Sequence, residues 1–131
     1  MKFTAPEITK ALELKRLGLD WTPGTGCYVW DEAGIIQCES PFHDLVYYIL
    51  DIKHFLRRAD SIEQLKRDLC WLPTWYDARR ILQERGVSQD AIARRLKMDQ
   101  AIENGTERMS LYQMIEENLK TSETVSPKSN D

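Results

Sequence analysis

The sequence predicts an α+β fold that is mostly helical, with five or six helices and one two-stranded antiparallel β-hairpin near the N-terminus. Apolar residues recur at helical spacing through most of the chain, and capping residues precede several of these stretches. A single pair of short β-forming segments flanks a turn. The length of 131 residues, 42% of them hydrophobic, is enough for one hydrophobic core.

The first helix is predicted to begin at Thr4 or Ala5 and to end at Gly18. Either starting residue takes the N-cap position, and Pro6 suits the first helical position because it has no amide hydrogen to lose. Glu7 in the first turn complements the positive end of the helix dipole.

The predicted hairpin joins Tyr28–Trp30 to Ile35–Ile36. A three-residue loop places Gly34 at the left-handed position of the turn, whereas a four-residue loop mixes polar and apolar side chains on both faces. We prefer the first register because it gives the cleaner apolar face, with Tyr28, Trp30, Ile36 and Cys38 on one side and Cys27, Val29 and Ile35 on the other.

A long helix is predicted from Pro41 to Arg58. At about 100° per residue, one arc is apolar and is expected to be core: Phe42, Leu45, Val46, Ile49, Leu50, Ile52 and Leu56. The opposite arc collects a polar cluster that contains both histidines of the chain: His43, Asp44, Tyr47, Asp51, His54 and Arg58. This cluster is either a solvated helix face or a site built on Asp51 and His54, which are helical neighbours.

Four further helices are predicted, over about 61–69, 74–85, 89–98 and 110–119. Ser61, Thr74, Ser88 and Ser110 precede them as caps, and glycines at 86 and 105 separate the last three. We therefore expect residues 1–120 to form a single globular domain and residues 121–131 to form a polar C-terminal tail.

Composition predicts a cytoplasmic protein. No apolar run is long enough to span a bilayer, and residues 1–9 lack the apolar segment of a secretory signal. The three cysteines are expected to be reduced, and Cys70 to be buried. Cys27, Cys38 and His43 lack the short spacing of a zinc knuckle, so we predict no metal and no cofactor.

Aromatic residues near Pro73 give one of two candidates for a contact surface. Trp71 is expected to be core, whereas Trp75 and Tyr76 are candidates for exposed anchors. Val29 and Ile35, on the second face of the hairpin, are the other candidate interface. The expected partner is another protein or a second copy of the chain.

One stretch resembles the helix-turn-helix of phage-repressor-type transcription regulators. Residues 79–95 read RRILQERGVSQDAIARR, and Ile102-Glu103-Asn104-Gly105 follows. In that family a glycine ends the first helix, Ser-Gln opens the second, and Ile-Glu-Asn-Gly closes the recognition helix. The resemblance implies DNA binding by residues 79–105. The chain departs from the pattern because only five residues separate Leu96 from Ile102, too few for a recognition helix that lies along a major groove.

We expect a non-enzymatic protein-interaction module. A net charge of −3, with arginines interleaved among acids, does not signal nucleic-acid binding. Two alternatives remain: a helix-turn-helix-like DNA-binding regulator, and a small metal-dependent or acid/base enzyme that uses Asp51 and His54. The sequence identifies no small-molecule ligand.

Overall fold

A small antiparallel sheet and a set of helices make up the protein. The computed structural model describes residues 2–36, 45–53 and 61–125, with side chains described as far as residue 121. The elements follow the order α1 (Ala5–Arg16), β1 (Tyr28–Trp30), β2 (Val46–Tyr48), α2 (Ile62–Asp68), β3 (Cys70–Trp71), α3 (Trp75–Glu84), α4 (Gln89–Met98), α5 (Ala101–Asn104) and α6 (Glu107–Val125). The mostly helical α+β class is confirmed.

Four helices begin at the caps that the sequence predicts. The hydroxyls of Thr4, Ser61, Thr74 and Ser88 each accept a hydrogen bond from the amide three residues further on, at 3.1–3.2 Å. Each bond satisfies one of the amides that a helix start leaves without a partner. Local sequence is sufficient to place these helix starts.

The sheet has β1 at its centre, in the order β2-β1-β3. On one side Val29 pairs with Tyr47, and on the other side it pairs with Trp71. Both faces of β1 are covered. Val29 belongs to one hydrophobic cluster, whereas Tyr28 and Trp30 pack against another.

The partner of β1 differs from the predicted one. The backbone amides of Ile35 and Ile36 donate to the Asp31 carboxylate at 2.9 and 2.8 Å, so neither amide is available for a strand ladder with β1. Gly34 has the left-handed conformation predicted for it, with φ of 71°. The turn therefore forms, but β1 takes β2 as its antiparallel partner.

The continuous helix predicted from Pro41 to Arg58 is wrong. Its interior contains β2, and Leu45, just before the strand, has a φ of 65°, a conformation incompatible with an α-helix. Valine and tyrosine are strong β-formers. Pairing with β2 also satisfies backbone groups of β1 that would have no partner if the segment were helical. Residues 37–44 and 54–60, at the two ends of that prediction, lie outside the described residues.

The last helix is longer than predicted. Its first residue is Glu107 rather than a residue after Ser110, and Ser110 is buried within it. Its last turn, to Val125, belongs to the stretch predicted as a polar tail; residues 126–131 lie outside the described part.

Two hydrophobic clusters form the core. The first surrounds α6 and includes the fully buried Tyr112, whose hydroxyl donates to the backbone oxygen of Pro73. The second lies on the other face of the sheet and includes Ile49 and Leu65. Trp71 packs against both clusters, so the end of β3 joins them just before α3 begins.

Candidate functional site

The exposed side of α3 is the candidate site, and the position of this helix is fixed at its start. Thr74 and Asp77 form a reciprocal capping box, with bonds of 3.1 Å in each direction. Further along, Ala78, Ile81 and Leu82 are buried, and α3 packs against α6. Because a helix turns by about 100° per residue, the side chains of the opposite arc point to solvent.

Two large aromatic side chains lie on this outer arc. Trp75 is 46% exposed and Tyr76 is 62% exposed. The guanidinium carbon of Arg79, one helical turn further on, lies 5.4 Å from the centre of the Trp75 ring. This cation–π contact holds the arginine against the indole and orders both side chains.

A groove of about 360 Å³ runs along this surface, and we call it the α3 groove. Its lining consists of Trp75, Tyr76, Arg79, Arg80, Gln83 and Gln89. Two of these six side chains are cationic, two are aromatic and two are neutral amides. The combination favours a partner that offers apolar groups together with negative charge.

A second concavity, the Trp21 cleft, lies on the other side of α3 and shares Arg80 with the groove. Its volume is about 440 Å³. The rings of Trp21 and Trp71 stack there with centres 5.9 Å apart and planes 9° from parallel. The Trp71 indole nitrogen is buried and has no hydrogen-bond partner among the described residues.

Cys27 also lines the Trp21 cleft, but its environment keeps the thiol protonated. Burial raises the pKa of Cys27, and the negative charge of Asp77 adds to the increase; a hydrogen bond with the Gly24 backbone acts in the opposite direction. Burial raises the pKa of Cys70 to about 12. Neither thiol has the lowered pKa of a catalytic nucleophile. Both are free, as predicted; Cys38 lies outside the described residues.

Two of the six residues of the predicted polar cluster are described, and one of them, Tyr47, is not on a helix. Tyr47 is in β2 and is buried in the second hydrophobic cluster. Asp51 is exposed and accepts a hydrogen bond from the Lys53 amide at 3.0 Å. The other four members, His43, Asp44, His54 and Arg58, lie outside the described residues, so a site that uses Asp51 and His54 stays a prediction. In the described ranges, no three histidine, cysteine or acidic side chains gather closely enough to hold a metal ion.

The candidate interface divides into a buried part and an exposed part. Val29 is fully buried, because it is on the central strand and the second cluster covers it, so its proposed role as a surface residue is wrong. Ile35 is half-buried against the same cluster. Trp75 and Tyr76 are exposed, as an interface anchor requires.

Arg79 and Gln83 are site residues that the sequence analysis overlooked. A signal for them was present. On a helix predicted over 74–85, positions 75, 79 and 83 are successive neighbours at i, i+4 spacing. Trp21, by contrast, has no local signal, since it reaches Trp71 across fifty residues of chain.

The segment that resembles a repressor motif is partly as expected. α4 begins after Ser88 and runs through Met98, as predicted. The helix at the position of the family's recognition helix is α5, which has only four residues. One turn presents too few side chains to follow a major groove.

No family model, no curated protein and no solved structure matches this chain. Among the described helices, none combines the length and the apolar character needed to cross a membrane. What can be said of function therefore comes from the geometry of α3 and its two flanking concavities.

Proposed function

We propose that this chain is a protein-interaction module that binds its partner through the exposed face of α3. The observation that carries the proposal is the exposure of Trp75 and Tyr76 beside Arg79, on a helix whose other face is fixed in the core. Tryptophan, tyrosine and arginine are the residue types that contribute most binding energy at protein interfaces.

Rigidity supports the same function. The capping box and the buried face of α3 hold the helix before any partner arrives, and the cation–π contact restricts the Trp75 and Arg79 side chains. A surface that is already ordered loses less conformational entropy on binding. The α3 groove is concave, so a partner side chain can be enclosed rather than only touched.

DNA binding is the less favoured function. The resemblance to repressors depends on a recognition helix, and α5 is a single turn. The face of α3 is independent of that turn, and it offers two cationic side chains where a DNA-binding surface usually gathers many.

A selection from a random peptide library displayed on phage, against the immobilised full chain, tests the proposal. Each selected peptide is then measured against Trp75→Ala and Tyr76→Ala variants. We expect about tenfold or greater loss of affinity in each variant, the usual effect of removing an interface anchor. Both side chains are exposed, so the fold should be preserved to within about 0.5 kcal/mol.

Met98→Ala is the matched control, because Met98 is 74% exposed on α4 and does not line the α3 groove. It reports on nonspecific binding to any exposed apolar side chain. Peptides that lose affinity equally in all three variants would contradict the proposal. A library that yields no binder, or only binders insensitive to both α3 substitutions, would also contradict it.

A further inference from the structure

Among the residues that the structure describes, the lining of the α3 groove is positively charged. Arg79 and Arg80 both line it, and no described acidic side chain does. The one acid in the first turn of α3, Asp77, lies on the side of the Trp21 cleft, where its carboxylate accepts a hydrogen bond from the Thr74 amide. The charge balance of the groove therefore differs from that of the chain, whose net charge is −3.

Both arginines can bind a carboxylate from a partner. Arg79 makes no ion pair with the residues that the structure describes, and its guanidinium lies over an indole face, which leaves the planar edge for a bidentate contact. Arg80 lies 3.8 Å from the Glu84 carboxylate, a loose and exposed contact of a kind worth little in water. Exchange of this contact for a partner carboxylate costs little.

Arg95 gives a useful contrast on the neighbouring helix. Its guanidinium donates to both oxygens of Glu117 at 2.8 Å and to Asp99 at 3.0 Å. That side chain is already engaged by the protein's own carboxylates. Arg79 and Arg80 in the α3 groove, by contrast, keep hydrogen-bonding capacity for another molecule.

Resting on the proposed function, we propose that the occupant of the α3 groove is an acidic segment of another protein. Its carboxylates bind Arg79 and Arg80, and an adjoining apolar side chain covers Trp75 and Tyr76. A peptide fits this surface better than a nucleic acid. Two cationic contacts are few for a phosphate backbone.

Three matched synthetic peptides test the inference on the full chain. One alternates leucine and tryptophan with aspartate and glutamate; the second has asparagine and glutamine at the acidic positions, and the third has lysine. We expect the acidic peptide to bind about tenfold tighter than its neutral counterpart, as two charge-assisted contacts would provide. Its affinity should fall as salt increases, because exposed charges are screened.

An Arg79→Glu/Arg80→Glu variant should prefer the lysine peptide to the acidic one. The control is Arg94→Glu/Lys97→Glu on α4, which changes the net charge equally at two exposed positions outside the groove and should keep the preference for the acidic peptide. If the control variant loses that preference equally, the effect is one of total charge and the inference is overturned.

The failure of this inference differs from that of the proposed function. Selected peptides that need Trp75 and Tyr76 but are neutral or basic would overturn the acidic occupant and leave the interaction module intact. Peptides that do not need this face would overturn both. The inference would also be overturned if none of the three synthetic peptides bound and a short DNA duplex bound the chain through Arg79 and Arg80. That result would identify nucleic acid as the occupant.

Discussion

Two carboxylates are buried among the described side chains, and each is satisfied in a different way. Asp31 accepts two backbone amides of its own turn, from Ile35 and Ile36. Glu7 caps α1 and accepts two hydrogen bonds from the Arg108 guanidinium, at 2.8 and 2.9 Å. The second arrangement joins α1 to α6 across 101 residues of chain, and Arg108 also lies over the Phe3 ring.

Glu7 makes stability depend on pH in a defined direction. Burial by itself would raise its pKa, but the hydrogen bond from Arg108, the bond from the Thr4 backbone and the charge of Arg108 together lower it below 4.5. A carboxyl with a lowered folded-state pKa stabilises the protein above its unfolded pKa. That contribution is lost as the pH falls through the folded-state value.

The Glu7→Gln variant tests this linkage. At neutral pH it should lower the free energy of unfolding by about 1–3 kcal/mol, because a charge-assisted bond to Arg108 is lost. The difference from wild type should shrink as the pH falls below the ordinary pKa of a glutamate carboxyl and through the lowered folded-state pKa of Glu7, because wild-type Glu7 then also becomes neutral. Urea unfolding across this pH range gives the comparison.

Glu13→Gln is the control, because Glu13 is an exposed partner of Arg16 on the same helix. It should change stability by less than about 0.5 kcal/mol. A constant difference between Glu7→Gln and wild type at all pH values would contradict the assignment.

At the scale of elements, the positions of helices and of strands are determined by different interactions. The starts of α1 to α4 follow from caps a few residues long. The segment containing β2 has a helix-like apolar pattern, yet it forms a strand because its partner, β1, lies sixteen or more residues earlier in the chain. Pairing between distant segments leaves no local sequence signal, so the strand and its register could not be predicted from the pattern.

Two adjacent residues after β2 distinguish the predicted helix from the observed strand. On a helix, Ile49 and Leu50 would both belong to the apolar arc. In the sheet arrangement Ile49 is fully buried and Leu50 is 77% exposed. We therefore expect Ile49→Ala to lower the free energy of unfolding by about 2–5 kcal/mol through the cavity it leaves. Leu50→Ala should change it by less than about 0.5 kcal/mol. Chemical denaturation of both variants measures the two values, and similar losses in both would favour the helix.

At the scale of the whole molecule, Trp71 connects two hydrophobic clusters that lie on opposite faces of the sheet. It packs against both, and its ring stacks on Trp21 in the second cluster. The first cluster extends along α6, which packs against α1 and α3. Because the same strand and the same indole serve both clusters, a loss of packing in one cluster also removes contacts from the other.

Unfolding should therefore be a single cooperative transition. In a Trp75→Phe variant, which removes the exposed indole, fluorescence reports on Trp21, Trp30 and Trp71 in or against the clusters. We expect its urea transition to coincide with that of far-ultraviolet circular dichroism, which reports mainly on the helices. Separate midpoints would show that the two clusters unfold independently.

The candidate interface residues also divide into those that the sequence identifies and those whose burial depends on the tertiary structure. Residue type and position beside Pro73 identify Trp75 and Tyr76 as candidates. Both are exposed because the buried face of α3 lies on the opposite side of the helix. The sequence places Val29 on the surface because a two-stranded hairpin leaves one face uncovered; in the structure the second hydrophobic cluster covers that face.

The sequence by itself determined the mostly helical class, the starts of four helices and the left-handed turn at Gly34. These features depend on interactions within a few residues, where capping, glycine geometry and helical periodicity act. Only the tertiary structure decided that β1 pairs with β2 and β3, that Trp21 stacks on Trp71, and that the described lining of the α3 groove holds two arginines and no acid. These arrangements bring distant segments together, and the free energy that selects them comes from burial and backbone pairing across the whole chain rather than from any local pattern.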